Sequence, residues 1–113
     1  MLGLAGACTP AVTGNVLIMI RGDLVDSTTG DCVWQIHYGT GTAPSNGAAS
    51  TGTAAGAGAG PSANSTTAFT VTLTAYVTGL TPSTAYWFDV SAQTLTTSIT
   101  CTISNPQLIE IEE

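Results

Sequence analysis

Lysine is absent from this chain, and Arg21 is its only fixed cation. Binding to nucleic acid by counterion release needs several Lys or Arg on one face, so that class of partner is excluded. The same lack argues against an anionic membrane surface. No apolar run is long enough to cross a bilayer as a helix. The opening "MLGLAGA" has no basic flank and too short an apolar stretch for a secretory signal, so it reads as a first strand. Charged residues make up only 7 % of the chain, against about 25 % in an ordinary soluble domain. Seven carboxylates leave a net charge of −6. The surface is therefore mostly Thr, Ser, Gly and Ala, and charge protects it poorly against self-association. Three cysteines, Cys8, Cys32 and Cys101, are an odd number and give no disulfide framework. They also lack the paired spacing of a zinc site, so no metal or cofactor is expected.

What is present is hydrophobic alternation. The 113 residues, 43 % of them apolar, suffice for one domain, 1–113, whose core does not require disulfides. "NVLIMIRG" (15–22) is a continuous apolar run of strand length, buried on both faces or in an interface. In "DCVWQIHYG" (31–39), Cys32, Trp34, Ile36 and Tyr38 share one face, with Val33, Gln35 and His37 on the other. "AFTVTLTAYVTGL" (68–80) turns Phe69, Val71, Leu73, Ala75 and Val77 inward and Thr70, Thr72, Thr74 and Tyr76 outward. "YWFDVSA" (86–92) turns Tyr86, Phe88, Val90 and Ala92 inward and Trp87, Asp89 and Ser91 the other way. Aromatics on both faces of that strand imply that both are covered, one by the core and one by a loop or another subunit. "SITCTIS" (98–104) follows, with Ser104-Asn105-Pro106 breaking it from "QLIEIEE" (107–113), where Ile109 and Ile111 are expected inside and Glu110 and Glu112 outside. About eight short strands at this spacing predict an all-β antiparallel sandwich. Residues 41–67 are a Gly/Ala/Ser/Thr-rich excursion, with one short strand expected near Ala49–Ala54. Its "GAGAG" is a silk-like string in a single copy, too little for a fibre.

Candidate chemistry is sparse. Arg21-Gly22-Asp23 spells an adhesion tripeptide, but it follows a strand directly instead of occupying a loop tip. His37 is the only histidine; Cys32 falls on the opposite face, and only Asp89 could approach it, if their strands neighbour. Asp89 has no second acid nearby for glycoside chemistry, so it is expected to be solvated or bonded to Thr or Trp side chains. Asp23, Asp26 and Asp31 do not match a calcium loop and read as an acidic turn. Asn64-Ser65-Thr66 fits a glycosylation acceptor. The rows Thr70/Thr72/Thr74 and Ser98/Thr100/Thr102 fit solvent-facing strands or, as the sharper alternative, an ice-binding sheet. No nucleophile–base pair is visible, and an enzyme is not expected. Cys32 and Cys101 both point inward, which is compatible with a bond or with two buried thiols.

"GNVLIMIRGDLVDSTTGDCVWQIHYGTGTAPSNGAASTGTA" and "VTGLTPSTAYWFDVSAQTLTTSITCTISNPQLIEIEE" together resemble a repeated module of phage virion proteins. The resemblance spans about residues 14–112, and the strings from Tyr38 to Pro44 and from Tyr86 to Asp89 carry most of it. It implies a C1q/TNF-like jelly roll of a tail fibre, head fibre or decoration protein, trimeric and outermost on the particle. Longer relatives have a segment before the position of "MLGLAGA", so a small capsid- or tail-associated subunit is expected here. "GLTPSTAYWFDVSA" also resembles the Leu-x-Pro-x-Thr-x-Tyr corner of fibronectin type III domains, the alternative architecture. The leading expectation is thus a structural virion protein, assembled in the host cytoplasm, that acts by self-association and attachment to other virion proteins. Leu17, Met19, Trp34, Tyr76 and Trp87 are its interface candidates, since large aromatics dominate interface energy. The alternative is a receptor- or glycan-binding fibre tip, with Trp34, Trp87 or Tyr76 exposed beside Asp or Asn.

Overall fold

The alternating runs form two antiparallel sheets. The computed structural model describes residues 1–27, 32–56, 67–94 and 100–113. Seven strands, and no helix, occur among them: β1 (Gly6–Cys8), β2 (Val16–Asp26), β3 (Cys32–Thr40), β4 (Thr53–Ala55), β5 (Phe69–Val77), β6 (Tyr86–Thr94) and β7 (Cys101–Glu112). One sheet has the order β1-β6-β3-β4 and the other β5-β2-β7. The excursion at 41–67 contributes its one described strand, β4, slightly later than expected. Its 57–66 part, with most of the GAGAG string and Asn64, lies outside the described residues, as do Asp31 and Ser98.

The two inner faces make the β-sandwich. Val16, Ile18, Ile20 and Leu24 of β2 face Trp34 and Ile36 of β3 and Phe88 and Val90 of β6, all at 3 % exposure or less. Each such side chain contributes about 1.5–3 kcal/mol by leaving water. The alternation expected for β3, β5 and β6 is the one observed: Leu73, Ala75 and Val77 are buried while Thr70, Thr72, Thr74 and Tyr76 are exposed. Tyr38 lies against Tyr86 and Phe88 on the neighbouring strand, with ring centroids 6.3 and 6.0 Å apart. At the β5–β6 connection the Thr81 N–H donates to the Tyr86 hydroxyl at 3.0 Å, which locks the Pro82 turn onto the strand it introduces.

Two expectations are corrected, and a third, for β2, is narrowed to its one-sided form. "MLGLAGA" yields only the short β1, because Gly3 and Ala5 adopt positive φ (70° and 50°) and bend the chain off the ladder before Gly6. β2 is buried on one face only: Leu17 and Met19 alternate outward and are half-buried. The largest correction concerns the C-terminus. Ser104-Asn105-Pro106 does not separate two strands but forms a bulge within the continuous β7. Arg21 pairs with Gln107 and Asp23 with Ser104, so three steps on β7 match two on β2. Asn105, at φ 52°, absorbs the extra residue, and Pro106 has no N–H to lose. One additional residue reverses every side chain beyond it. Ile109 and Ile111 therefore point outward, 49 % and 44 % exposed, while Leu108 and Glu110 are the partly buried residues of that segment.

Cys32 and Cys101 are joined in a disulfide with Cα atoms 6.0 Å apart, linking β3 of one sheet to β7 of the other. The bond closes 69 residues of chain, a span that restricts the unfolded state by about 4 kcal/mol in the chain-entropy account. Reduction, or Cys101→Ser, is expected to lower the melting temperature measured by calorimetry; identical melting with and without reductant would show that the link contributes no stability.

Candidate functional site

The outer face of the four-stranded sheet is closed by the chain itself. Trp87 projects there and is only 7 % exposed. Its Nε1–H donates to the Thr40 carbonyl at 3.2 Å. Gly39 lies under the indole: a Cβ there would stand 2.6 Å from Trp87 Cζ2. Gly52, at φ +79°, brings the 41–52 segment across the same ring. That segment is tied to the N-terminal residues by the Gly47 N–H, which donates to the Met1 carbonyl at 3.0 Å.

Asp89 is neither solvated nor bonded to Thr or Trp side chains. It is fully buried, and its carboxylate accepts the N–H groups of Gly3 (2.9 Å), Leu4 (3.0 Å) and Val90 (2.8 Å). It thus fills the gap that opens where the N-terminal segment bends away from β6, and the Leu2 N–H resumes pairing with the Val90 carbonyl at 2.9 Å. A buried carboxylate is tolerable only with such charge-assisted partners.

The neighbouring strands do bring His37 and Asp89 into direct cross-strand register. Ser50 Oγ lies 3.4 Å from His37 Nε2, while Nδ1 is buried and finds no partner among the described residues. The orienting bond of a triad is missing, because the Asp89 oxygens are turned to the N-terminal backbone. No group of three or more His, Cys, Asp or Glu that could hold a metal occurs among the described residues.

Arg21-Gly22-Asp23 lies within β2, where Asp23 accepts from Thr70 Oγ1 at 2.6 Å and from Asn105 Nδ2 at 3.2 Å. These bonds hold its carboxyl below the ordinary range. One bond ties the aspartate to the bulge of β7 and the other to β5, the reverse of a mobile adhesion loop.

The outer face of the β5-β2-β7 sheet has no such cover among the described residues. Across it, Leu17 is flanked by Tyr76 and Ile111, and Met19 by Thr74 and Ile109. Tyr76 is 55 % exposed. Of the five interface candidates, the structure gathers Leu17, Met19 and Tyr76 on this face. It places Trp34 in the core at 0 % exposure and Trp87 under the 41–52 segment, so neither offers surface to a partner or a stacking platform to a sugar. Ile109 and Ile111 were missed. The readable signal was Asn-Pro inside an alternating run, which marks a bulge as readily as a strand break.

The acids of β7 turn inward instead. Glu112 accepts the N–H groups of Val12 (2.7 Å), Ala11 and Thr13 (both 2.8 Å), which cap the β1–β2 turn. Those bonds lower its carboxyl to about 2. Glu110 is half-buried, and desolvation raises it. Cys8, a free thiol between the sheets, is raised first by burial and then by these two carboxylates.

No protein-family model, no curated protein and no solved structure matches the chain.

Two outcomes test these contacts. Asp89→Ala strands the Gly3 and Leu4 N–H groups and is expected to cost about 3 kcal/mol in urea unfolding, with fast hydrogen exchange at those two amides; unchanged exchange there would refute the assignment. Glu112, with its folded-state value depressed, stabilises fully above the unfolded value of 4.5, and that contribution is lost as pH falls toward about 2. The acid limb of a thermal-melt profile is therefore expected to flatten in Glu112→Gln, and an acid limb superimposable on the wild type would show that the carboxylate is not held this way.

Proposed function

We propose that this chain is a non-enzymatic structural subunit of a phage particle, a capsid decoration or fibre component that associates with copies of itself and with other virion proteins. The observation that supports association is the reversal of β7. An independent monomer gains by burying Ile109 and Ile111 and exposing Glu110; this chain does the opposite and lines the isoleucines up beside Leu17, Met19 and Tyr76. Contiguous outward apolar rows of this kind mark interaction surfaces. The virion assignment rests on the resemblance carried by the strings 38–44 and 86–89, which are also the strings that build the cover over Trp87 and the Asp89 anchor.

For the finer architecture, the strand pairs favour the fibronectin type III-like sandwich over the jelly roll. Adjacency of β2 with β5 and of β3 with β6 reproduces the B–E and C–F neighbours of that class, and Tyr86 makes its corner bond. The terminal strands have traded places. β1 lies beside β6, where the last strand of that class belongs, and β7 lies beside β2, where the first belongs.

Light scattering on the purified chain is expected to show an oligomer at micromolar concentration. Ile109→Thr combined with Ile111→Thr is expected to yield a monomer with unchanged circular dichroism. A wild-type chain that stays monomeric throughout the concentration range sinks the proposal.

A further inference from the structure

The exposed face of the β5-β2-β7 sheet is self-complementary in the order of its charges. Its two apolar rows are centred on Leu17 and Met19. Beyond Met19 comes the row of Arg21, the sole fixed cation, between Thr72 and Gln107. Beyond Leu17, in the other direction, comes Asn15, whose carbonyl accepts the Glu113 N–H at 2.9 Å. Glu113 continues the alternation of Ile109 and Ile111, and both Glu113 and Arg21 are exposed. A positive charge thus stands one row past the apolar pair at one end and a negative charge one row past it at the other.

We propose, building on the association reading above, that this face binds a second copy of the chain about a two-fold axis passing over Ile18. That axis exchanges the Leu17 row with the Met19 row, so apolar meets apolar. It also sets Arg21 of each copy over the row of Asn15 and Glu113 in the other, one strand's width from Glu113, giving two equivalent ion pairs at the rim. Sheets packed face to face keep their strands within about 30° of each other, which preserves this row-to-row match. A second copy is the occupant because the equal spacing of the two charges about the apolar centre complements itself, and an isologous contact requires that. Among the described residues, three other carboxylates stand clear of the contact. Each copy carries −6, but Asp89 is buried, Glu112 is engaged with the 11–13 turn, and Asp23 lies a further row out, bonded to Thr70 and Asn105. Three strands over these rows present a face of roughly 14 by 20 Å, smaller than a standard specific interface, which makes the contact a weak, exchanging one. The rim pairs then contribute mainly orientation.

The test is sedimentation velocity with light scattering at low ionic strength on the whole chain in four forms: wild type, Arg21→Glu, Glu113→Arg and the double exchange. Wild type is expected to reach a dimer, each single change to weaken it about tenfold by setting like charges against each other, and the double exchange to restore it. Glu113→Arg alters only an exposed side chain, so it reads the contact even if Arg21→Glu, beside the bulge, fails to fold. A double exchange no better than the single ones, or a trimer in place of the dimer, overturns the two-fold arrangement and leaves association standing. A wild type that is monomeric at every concentration overturns both.

Discussion

The bulge at Asn105 is the constraint on which the rest depends. A single extra residue in β7, accommodated by positive φ at Asn105 and by the missing N–H of Pro106, decides which way the side chains from Gln107 to Glu112 point. Without it Ile109 and Ile111 would enter the sandwich, Glu112 could not reach the 11–13 turn, and the outer sheet face would be lined by carboxylates. Asp23 reinforces the bulge by accepting from Asn105 on one side and Thr70 on the other. The alternative register would bury more hydrocarbon. What the observed one gains instead is three charge-assisted backbone bonds to Glu112, and an apolar outer surface.

The two outer faces are treated oppositely. Over the four-stranded sheet, the N-terminal residues and the 41–52 segment cover Trp87 and hold the Asp89 carboxylate in a dry, fully bonded position. Polar and aromatic groups on that face are turned to internal use, and the only histidine is left without an acid to orient it. Over the three-stranded sheet, the outward residues are Thr70, Thr72, Thr74 and Tyr76 along β5, and the hydrocarbon of Leu17, Met19, Ile109 and Ile111 along one end of β2 and β7. Polar chemistry is thus absorbed by one side of the molecule, and exposed hydrocarbon is left on the other.

Much of this was legible in the sequence, and the illegible part has one common cause. Strict alternation in β5 and β6 assigned Leu73, Phe88 and Val90 to the core, while Trp34, expected at an interface, is buried there too, and the Leu80–Tyr86 pattern named the corner that Tyr86 closes. Period two also required that both faces of β6 be covered. It could not say by what, because the partners of Asp89 lie 85 and 86 residues away and are backbone groups without a side-chain signature. Local patterning was equally blind to the placing of β1 beside β6 and of β7 beside β2, which is a matter of long-range pairing. For β7, alternation was read straight through a bulge, and a period of two turns one miscounted residue into a complete reversal. The pairing of Cys32 with Cys101, left open by the pattern, follows from β3 and β7 ending on the same side of the core.

The scarcity of cations also governs how the fold meets a protease. A protease that cuts after basic side chains has a single target bond here, Arg21–Gly22, and it lies in the central strand of its sheet with neighbours hydrogen-bonded on both sides. Cleavage requires that strand to leave the sheet, which dismantles the sandwich. The folded sandwich is therefore closed to trypsin-like digestion, and within these 113 residues unfolding opens only that one bond.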